Sequence, residues 1–435
     1  MEELDDLHEP TGCILEAQAL AAELWGAEET LFMINGTTGA IHAMLLGTLN
    51  PGDKVLVPRN AHRSIIGGII LAGAEPVYVQ PEINNRLGIA MGLSTDEVQN
   101  AIKANREAKA LVAVYPTYYG FCCNLGVIAH LVHEAGMLLL VDEAHGAHLR
   151  FSEKLPQQAL DLGADVVAQS THKLLGSMTQ TSMLHIGSDR VDRGRLRQAA
   201  GLLQSTSPNQ LLLASLDIAR LQMAQEGEER VNRAVRLSSW LRQEINCIPG
   251  LYSPGQELCA GDGRSGAAAL DAAKVTVNLY GLCIGGQEAE LILRHEYKVQ
   301  CELSDPANLL FIISMADTME QVCRLLEALR NLAGRFHGSK EILSANMAEM
   351  PEPQQAVDPR GAFFAMTDTV KLEMAEGCIS AETVAFYPPG IPVLCPGERI
   401  SGQIIEYIRY YQARGMRLSG PTDGNLATIR ICRGM

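Results

Sequence analysis

Two apolar runs, each ending in polar residues, frame this chain. Met137–Val141 runs into Asp142, and Ala164–Ala168 runs into Ser170-Thr171-His172-Lys173. Near-continuous apolar runs of this length predict strands buried on both faces, as in parallel sheets. Five further segments, Thr30–Ile34, Lys54–Val57, Glu75–Val79, Ala110–Tyr115 and Thr181–Ile186, also predict strands. Helical segments fall between them. Leu15–Trp25 is rich in helix formers and stops at Gly26, and Ala40–Leu49 and Val127–Ala135 follow the same logic. Ser94–Ala104 opens on a capping box, Ser94 with Glu97 three residues on. Seven strands alternating with helices predict an α/β doubly wound, mostly parallel sheet. In such sheets ligands sit at the C-terminal ends of the strands.

Past this sheet the pattern changes. Ser207–Gln225 and Glu228–Glu244 predict two long amphipathic helices, and the Gly/Ala-rich stretch Cys259–Ala273 predicts a loop. Lys274–Leu279 and Leu309–Met315 predict strands of a smaller α/β unit, and Asp317–Leu332 a helix. Ala348–Pro359, rich in Pro, Glu and Gln, reads as a linker. The expected organisation is a large domain over 1–245, a small α/β domain over 246–347, a linker over 348–359 and a C-terminal domain over 360–435. No internal repeat is found.

Composition narrows the function classes. The 435 residues are 47% hydrophobic and 20% charged, as expected of a soluble globular protein. The net charge of −15 argues against a nucleic-acid partner and fits a cationic small substrate. Eleven cysteines, an odd number without framework spacing, read as reduced thiols in a cytoplasmic enzyme. No His/Cys cluster suggests a metal, and no apolar run reaches membrane-spanning length.

The candidate chemistry lies at the predicted strand ends. Asn35-Gly36-Thr37-Thr38-Gly39 links a strand to a helix, where glycine permits a tight turn and free N–H groups face an anion. An ordinary threonine-rich helix cap has the same appearance. His62 follows another strand, and Asp142 and Lys173 follow two more. A lysine and a carboxylate facing one crevice are what a pyridoxal 5'-phosphate enzyme needs: one for covalent attachment, one for the pyridinium nitrogen. Burial just past a strand would favour a neutral Lys173 amine.

These motifs resemble those of the group III, fold type I ornithine/lysine/arginine decarboxylases. The family's attachment pattern is S-x-H-K, two residues, two small residues, x-[STA]-Q and two small residues. Ser170-Thr171-His172-Lys173 through Gln180-Thr181-Ser182 matches it at every position. NGTT (Asn35–Thr38), RNAHRS (Arg59–Ser64) and YPPGIPVLCPGE (Tyr387–Glu398) follow in the family's order. The resemblance implies the aspartate aminotransferase-like fold: a seven-stranded large domain, a smaller α/β domain and a C-terminal domain. It implies decarboxylation of arginine or lysine, less so ornithine, to agmatine, cadaverine or putrescine, in polyamine synthesis. It identifies Lys173 as the attachment site, Asp142 as partner of the ring nitrogen and His62 as the ring's stacking partner. Ala144 would lie under the ring, and His145 would meet the phenolic oxygen. Gly36, Thr37, Thr38, Ser170 and His172 would surround the phosphate, and Tyr118 or Tyr119 would lie beside the cofactor. Glu398 is the first candidate for the substrate's cationic end, ahead of Asp96 and Glu97, while Arg399 and Arg430 are candidates for its α-carboxylate. A homodimer or an assembly of dimers is implied too. The family's N-terminal arm, with its PGHKGG-like segment, has no counterpart before MEELDDLHEPTG.

Two other readings share Lys173 and Asp142. One is a different fold type I reaction, transamination or elimination. The other is a cofactor-binding protein without turnover.

Overall fold

The computed structural model describes residues 5–259, 264–337, 350–352, 354–387 and 390–435. Met1–Leu4, residues 260–263 of the expected loop, residues 348, 349 and 353 of the expected linker, and Pro388-Pro389 of YPPG lie outside the described residues. The chain forms two compact units. The first takes 1–81, 92–233 and 260–271; the second takes 82–91, 234–259 and 272–435.

The first unit is built on a seven-stranded sheet, and all seven strands expected from the sequence are in it. They are β1 (Glu29–Met33), β2 (Lys54–Pro58), β3 (Glu75–Val79), β4 (Ala110–Val114), β5 (Leu138–Asp142), β6 (Val166–Gln169) and β7 (Ser182–Ile186). Their order across the sheet is β1-β7-β6-β5-β4-β2-β3. The block from β3 to β6 is parallel, and β7 runs antiparallel to both its neighbours. Helices α1 (Cys13–Trp25), α2 (Gly36–Thr48), α3 (Arg63–Ala72), α4 (Thr95–Ala104) and α5 (Leu125–Glu134) alternate with these strands. The apolar runs behave as their pattern requires: Leu139, Leu140, Val141, Val166, Val167 and Ala168 are all fully buried. The β1 edge is closed by two glutamines. Phe32 N–H donates to Gln18 Oε1 (2.8 Å), Ile34 N–H donates to Gln204 Oε1 (2.8 Å), and Gln204 Nε2 donates to the Phe32 carbonyl (3.3 Å). Satisfying these groups with side chains removes the template for a further strand.

The two long helices expected after the sheet are one. A single helix runs from Gln210 to Asn246 and carries Glu226-Gly227 in its interior. One glycine costs a helix only about 1 kcal/mol. Here the missing side chain admits the Phe151 ring, 2.8 Å from where a Cβ would stand.

The described residues of the second unit include two large cores and a smaller cluster of Ala362, Ile379, Ala381 and Cys432. In one, the sheet of Lys274–Asn278, Asn308–Ile312 and Leu303–Ser304 is antiparallel throughout. The amphipathic helix Met319–Phe336 packs Leu325 and Leu329 with Val275, Val277, Leu309 and Phe311. In the other, the helix Gly402–Gln412 buries Ile404, Ile408 and Tyr411 with Val384 and Leu394 of two short strands. Among the described residues no helix is long and apolar enough to cross a membrane.

Candidate active site

The sheet topology brings the candidate residues to neighbouring strand ends. β5 ends in Asp142, β6 runs into Ser170, and β7 begins at Ser182 beside it. A short helix, Thr171–Leu174, starts at Ser170 and carries His172 and Lys173 on its single turn.

Lys173 Nζ lies 3.0 Å from His145 Nε2. The tilted ring of Tyr118 packs on His145, with centroids 4.5 Å apart. Lys173 is solvent-exposed, in contrast to the burial its position after a buried strand suggests. The strand end hides the carboxylate, not the amine. Asp142 is buried, and its Oδ1 accepts the Ala144 N–H (3.1 Å). Burial holds this carboxyl above its usual range, while the Lys173 charge and the Ala144 N–H pull it back down. Its second oxygen accepts no hydrogen bond among the described residues.

His62 caps α3, accepting the Ser64 N–H at Nδ1 (3.2 Å), with Ser64 Oγ 2.8 Å from the same atom. Its hydrogen is therefore on Nε2. Burial, then the charges of Lys173, Arg63 and His42, hold its pKa down at about 4, so the ring is neutral at physiological pH. His172 is lowered by burial as well, with the Thr181 carbonyl opposing; its Nδ1 donates to that carbonyl (2.6 Å).

At the start of α2, Gly36 has φ +66°, a conformation that glycine adopts without penalty. Its N–H donates to the Gln180 carbonyl (2.8 Å), and a Cβ there would meet nothing within 4 Å. The next residue belongs to a buried hydroxyl chain. Ser182 Oγ donates to the Gln169 carbonyl (2.6 Å). With that hydrogen committed, Thr37 Oγ1 donates to Ser182 Oγ (3.0 Å), and Ser170 Oγ donates to Thr37.

Gly36, Thr37, Thr38, His62, Asp142, Ala144, His145, Ser170, His172 and Lys173 thus all belong to the first unit, at strand ends and helix starts. Glu398 belongs to the second unit, where its buried carboxylate accepts the Cys395 N–H (2.8 Å). Ser182, which closes the hydroxyl chain, is not among the residues that the motifs single out. Its place as the last small residue of the attachment pattern was the available signal. Glu143, fully buried beside Asp142, is not singled out either.

The family model of the Orn/Lys/Arg decarboxylase major domain matches residues 1–256, and that of the Orn/Lys/Arg decarboxylase C-terminal domain matches residues 319–422. The chain belongs to the Orn/Lys/Arg decarboxylase family. Within that family it is 41% identical to the arginine decarboxylase of Bacillus anthracis over 99% of this chain and 87% of the relative. It is 39% identical to the arginine decarboxylase of Bacillus subtilis, over 100% and 88%. The solved lysine decarboxylase of Francisella novicida superposes with a TM-score of 0.83 at 21% identity, covering 99% of this chain and 73% of that one, a likeness of fold. The fold is the aspartate aminotransferase-like fold type I, as the seven strands and their ordering imply. As a member of this family the chain is a carboxy-lyase acting on a basic amino acid.

Proposed function

We propose that this decarboxylase uses pyridoxal 5'-phosphate held in the first unit and acts on arginine, releasing carbon dioxide and agmatine, with lysine second and ornithine last. The observation that carries the cofactor reading is the buried Asp142 carboxylate with one oxygen open, its pKa raised by burial, an effect partly offset by the charge of the nearby Lys173 amine. The donor set fits the group. The open anionic oxygen suits a protonated ring nitrogen, and the space around Gly36 at the start of α2 suits a phosphate. The order of substrates rests on the arginine decarboxylases at 39 and 41% identity.

When bound, pyridoxal 5'-phosphate supplies a conjugated electron sink for the electron pair left as the bond from Cα to the carboxylate breaks. Asp142, with its open oxygen, would hold a proton at the ring nitrogen. Lys173 would hold the cofactor covalently through its amine, and the same amine would carry a proton to the substrate. His145, 3.0 Å from that amine, orients it. His62 presents a neutral, flat ring for stacking. Ser170, Thr37 and the free N–H groups opening α2 bind the phosphate, with Gly36, Thr38 and His172 around them.

A second copy of the chain is part of the same reading. Leu211 (67% exposed), Ile218 (64%) and Leu221, with Met178 beside Ser215 of the same helix, leave an exposed apolar stripe on the first unit. Leu211 and Ile218 are two turns apart on one helix face. Stripes of this kind mark protein interfaces. We place the enzyme in the cytoplasm, on eleven cysteines that form no disulfide among the described residues.

The test is purified protein with pyridoxal 5'-phosphate and each of arginine, lysine and ornithine, scoring carbon dioxide and amine. Arginine is expected to turn over fastest. Lysine or ornithine ahead of arginine would overturn the substrate order, and no carbon dioxide from any of the three would overturn the reaction.

A further inference from the structure

Asp142 and Glu143 are consecutive, and both are buried, at 5% and 0% exposure. Consecutive residues at a strand end point to opposite faces. Asp142 has the Lys173 charge within reach. Glu143 has no cation among its hydrogen-bond partners. Its Oε1 accepts the Ala159 N–H (2.7 Å), and its other oxygen lies 2.6 Å from the Gln169 side-chain amide. That amide continues to His185 Nε2 (3.1 Å), and His185 Nδ1 continues to Thr30 Oγ1 (2.7 Å). The relay crosses from the end of β5 through β6 and β7 to β1. Among the described residues the charges that act on Glu143 come from Asp142 and Asp161. Tyr115 and Cys122 lie close by, and the nearby Arg150 is paired with Asp161. His185, at the far end of Gln169, is held down to about 3 by burial and stays neutral.

The relay offers Glu143 a partner in either protonation state. With Glu143 ionised, Thr30 O–H donates to His185, His185 N–H to the Gln169 oxygen, and the Gln169 NH2 to the carboxylate. With Glu143 protonated and the Gln169 amide turned over, every arrow reverses: Glu143 O–H donates to the Gln169 oxygen, Gln169 NH2 to His185, and His185 Nδ1–H to Thr30. In the first direction every link joins a donor to an acceptor; in the second the buried Thr30 O–H is left without an acceptor among the described residues. What decides between the two states is charge. A second buried anion beside Asp142, with no cation of its own, is strongly disfavoured.

We propose that Glu143 is a positioning residue kept as a neutral carboxylic acid by its burial beside Asp142 without a cation of its own, its proton received by the Gln169–His185–Thr30 relay, so that Asp142 is the carboxylate that stays ionised for the ring nitrogen. Burial accordingly pushes Glu143 up to about 8. Once Glu143 loses its proton, its charge raises the proton affinity of Asp142, and the ring nitrogen loses its anionic partner. The inference rests on the proposed role of Asp142.

The test pairs a spectroscopic readout with kinetics. Isotope-edited infrared spectra of the protein, followed from pH 5 to pH 10 with and without cofactor, should contain one protonated carboxyl stretch that persists through neutral pH and is absent from Glu143→Gln. In the holoenzyme, kcat should fall by about tenfold per pH unit once Glu143 ionises. Glu143→Gln, which carries a permanent neutral donor, should move that alkaline limb up by at least one pH unit with little change in KM. Glu143→Leu, which strands the Ala159 N–H and the Gln169 amide, should not rescue turnover. An alkaline limb unmoved in Glu143→Gln, or a Glu143 carboxyl that titrates in the usual carboxylate range, would overturn the inference. If Glu143→Gln fails to fold, the carboxyl titration of the natural protein decides alone. Full turnover in Asp142→Asn would instead sink the cofactor reading, while the Glu143 stretch stayed in place.

Discussion

Thr37 is where the proposed phosphate site can be probed with least disturbance. Its hydroxyl accepts from Ser170 and donates to Ser182, and all three side chains are buried. Thr37→Val keeps the shape and removes the hydroxyl. In the cofactor-free protein this leaves the Ser170 hydrogen and a Ser182 lone pair without partners, a cost of about 1–3 kcal/mol. With cofactor bound, a hydrogen bond to an anionic oxygen is lost as well. Such bonds contribute about 1.5–3 kcal/mol, which corresponds to roughly 10- to 150-fold in affinity. The Thr37 hydrogen is already committed to Ser182 and must turn toward the phosphate, so the effect belongs at the lower end of that range. The assay is an absorbance titration of cofactor-free protein with pyridoxal 5'-phosphate, beside urea unfolding of the same samples. Thr37→Ser should retain most of the affinity. Affinity within about twofold of the natural protein in Thr37→Val, accompanied by the full loss of stability, would refute the phosphate role and leave Thr37 a structural hub.

Three further outcomes follow from the same geometry. His185 keeps its pKa near 3 in the fold, so unfolded chains take up a proton between pH 6.5 and 3 that the folded protein refuses. Its stabilisation is present above pH 6.5 and lost as the pH falls, by about 2 kcal/mol at pH 5; urea unfolding should show this slope in the natural protein and not in His185→Gln, and equal slopes would contradict it. His62 is neutral down to about pH 4, so the shape of the rate profile between pH 5 and 7 should be the same in His62→Phe, and a changed acid limb would show that its titration matters. Charging the apolar stripe with Leu211→Glu and Ile218→Glu should convert the assembly to monomers in sedimentation, and an unchanged sedimentation coefficient would move the interface elsewhere.

Much of this site was legible in the sequence because strand ends are marked twice, by the apolar run before them and by the polar residues after. Asp142 and Ser170 stand within a residue of where the pattern placed them. Other features carried no local signal. The fusion of two helices across Gly227 depends on the Phe151 ring that fills the glycine's place. Ser182 becomes part of the site only because β7 lies beside β6, a pairing that periodicity does not reveal. Glu143 reads as an ordinary charged residue until its burial and its relay are known. Lys173 shows the reverse error: the buried strand before it suggested a buried amine, yet the single helical turn that carries it lifts the residue into solvent.

The central claim is a covalent bond from Lys173 to the cofactor in a pocket whose acid is Asp142. Borohydride reduction of the holoenzyme, followed by peptide mapping, tests it directly. The label is expected on the peptide containing Ser170-Thr171-His172-Lys173, at Lys173, and absent from Lys173→Ala. A label on any other lysine, or none on a protein that still turns over arginine, would contradict the account.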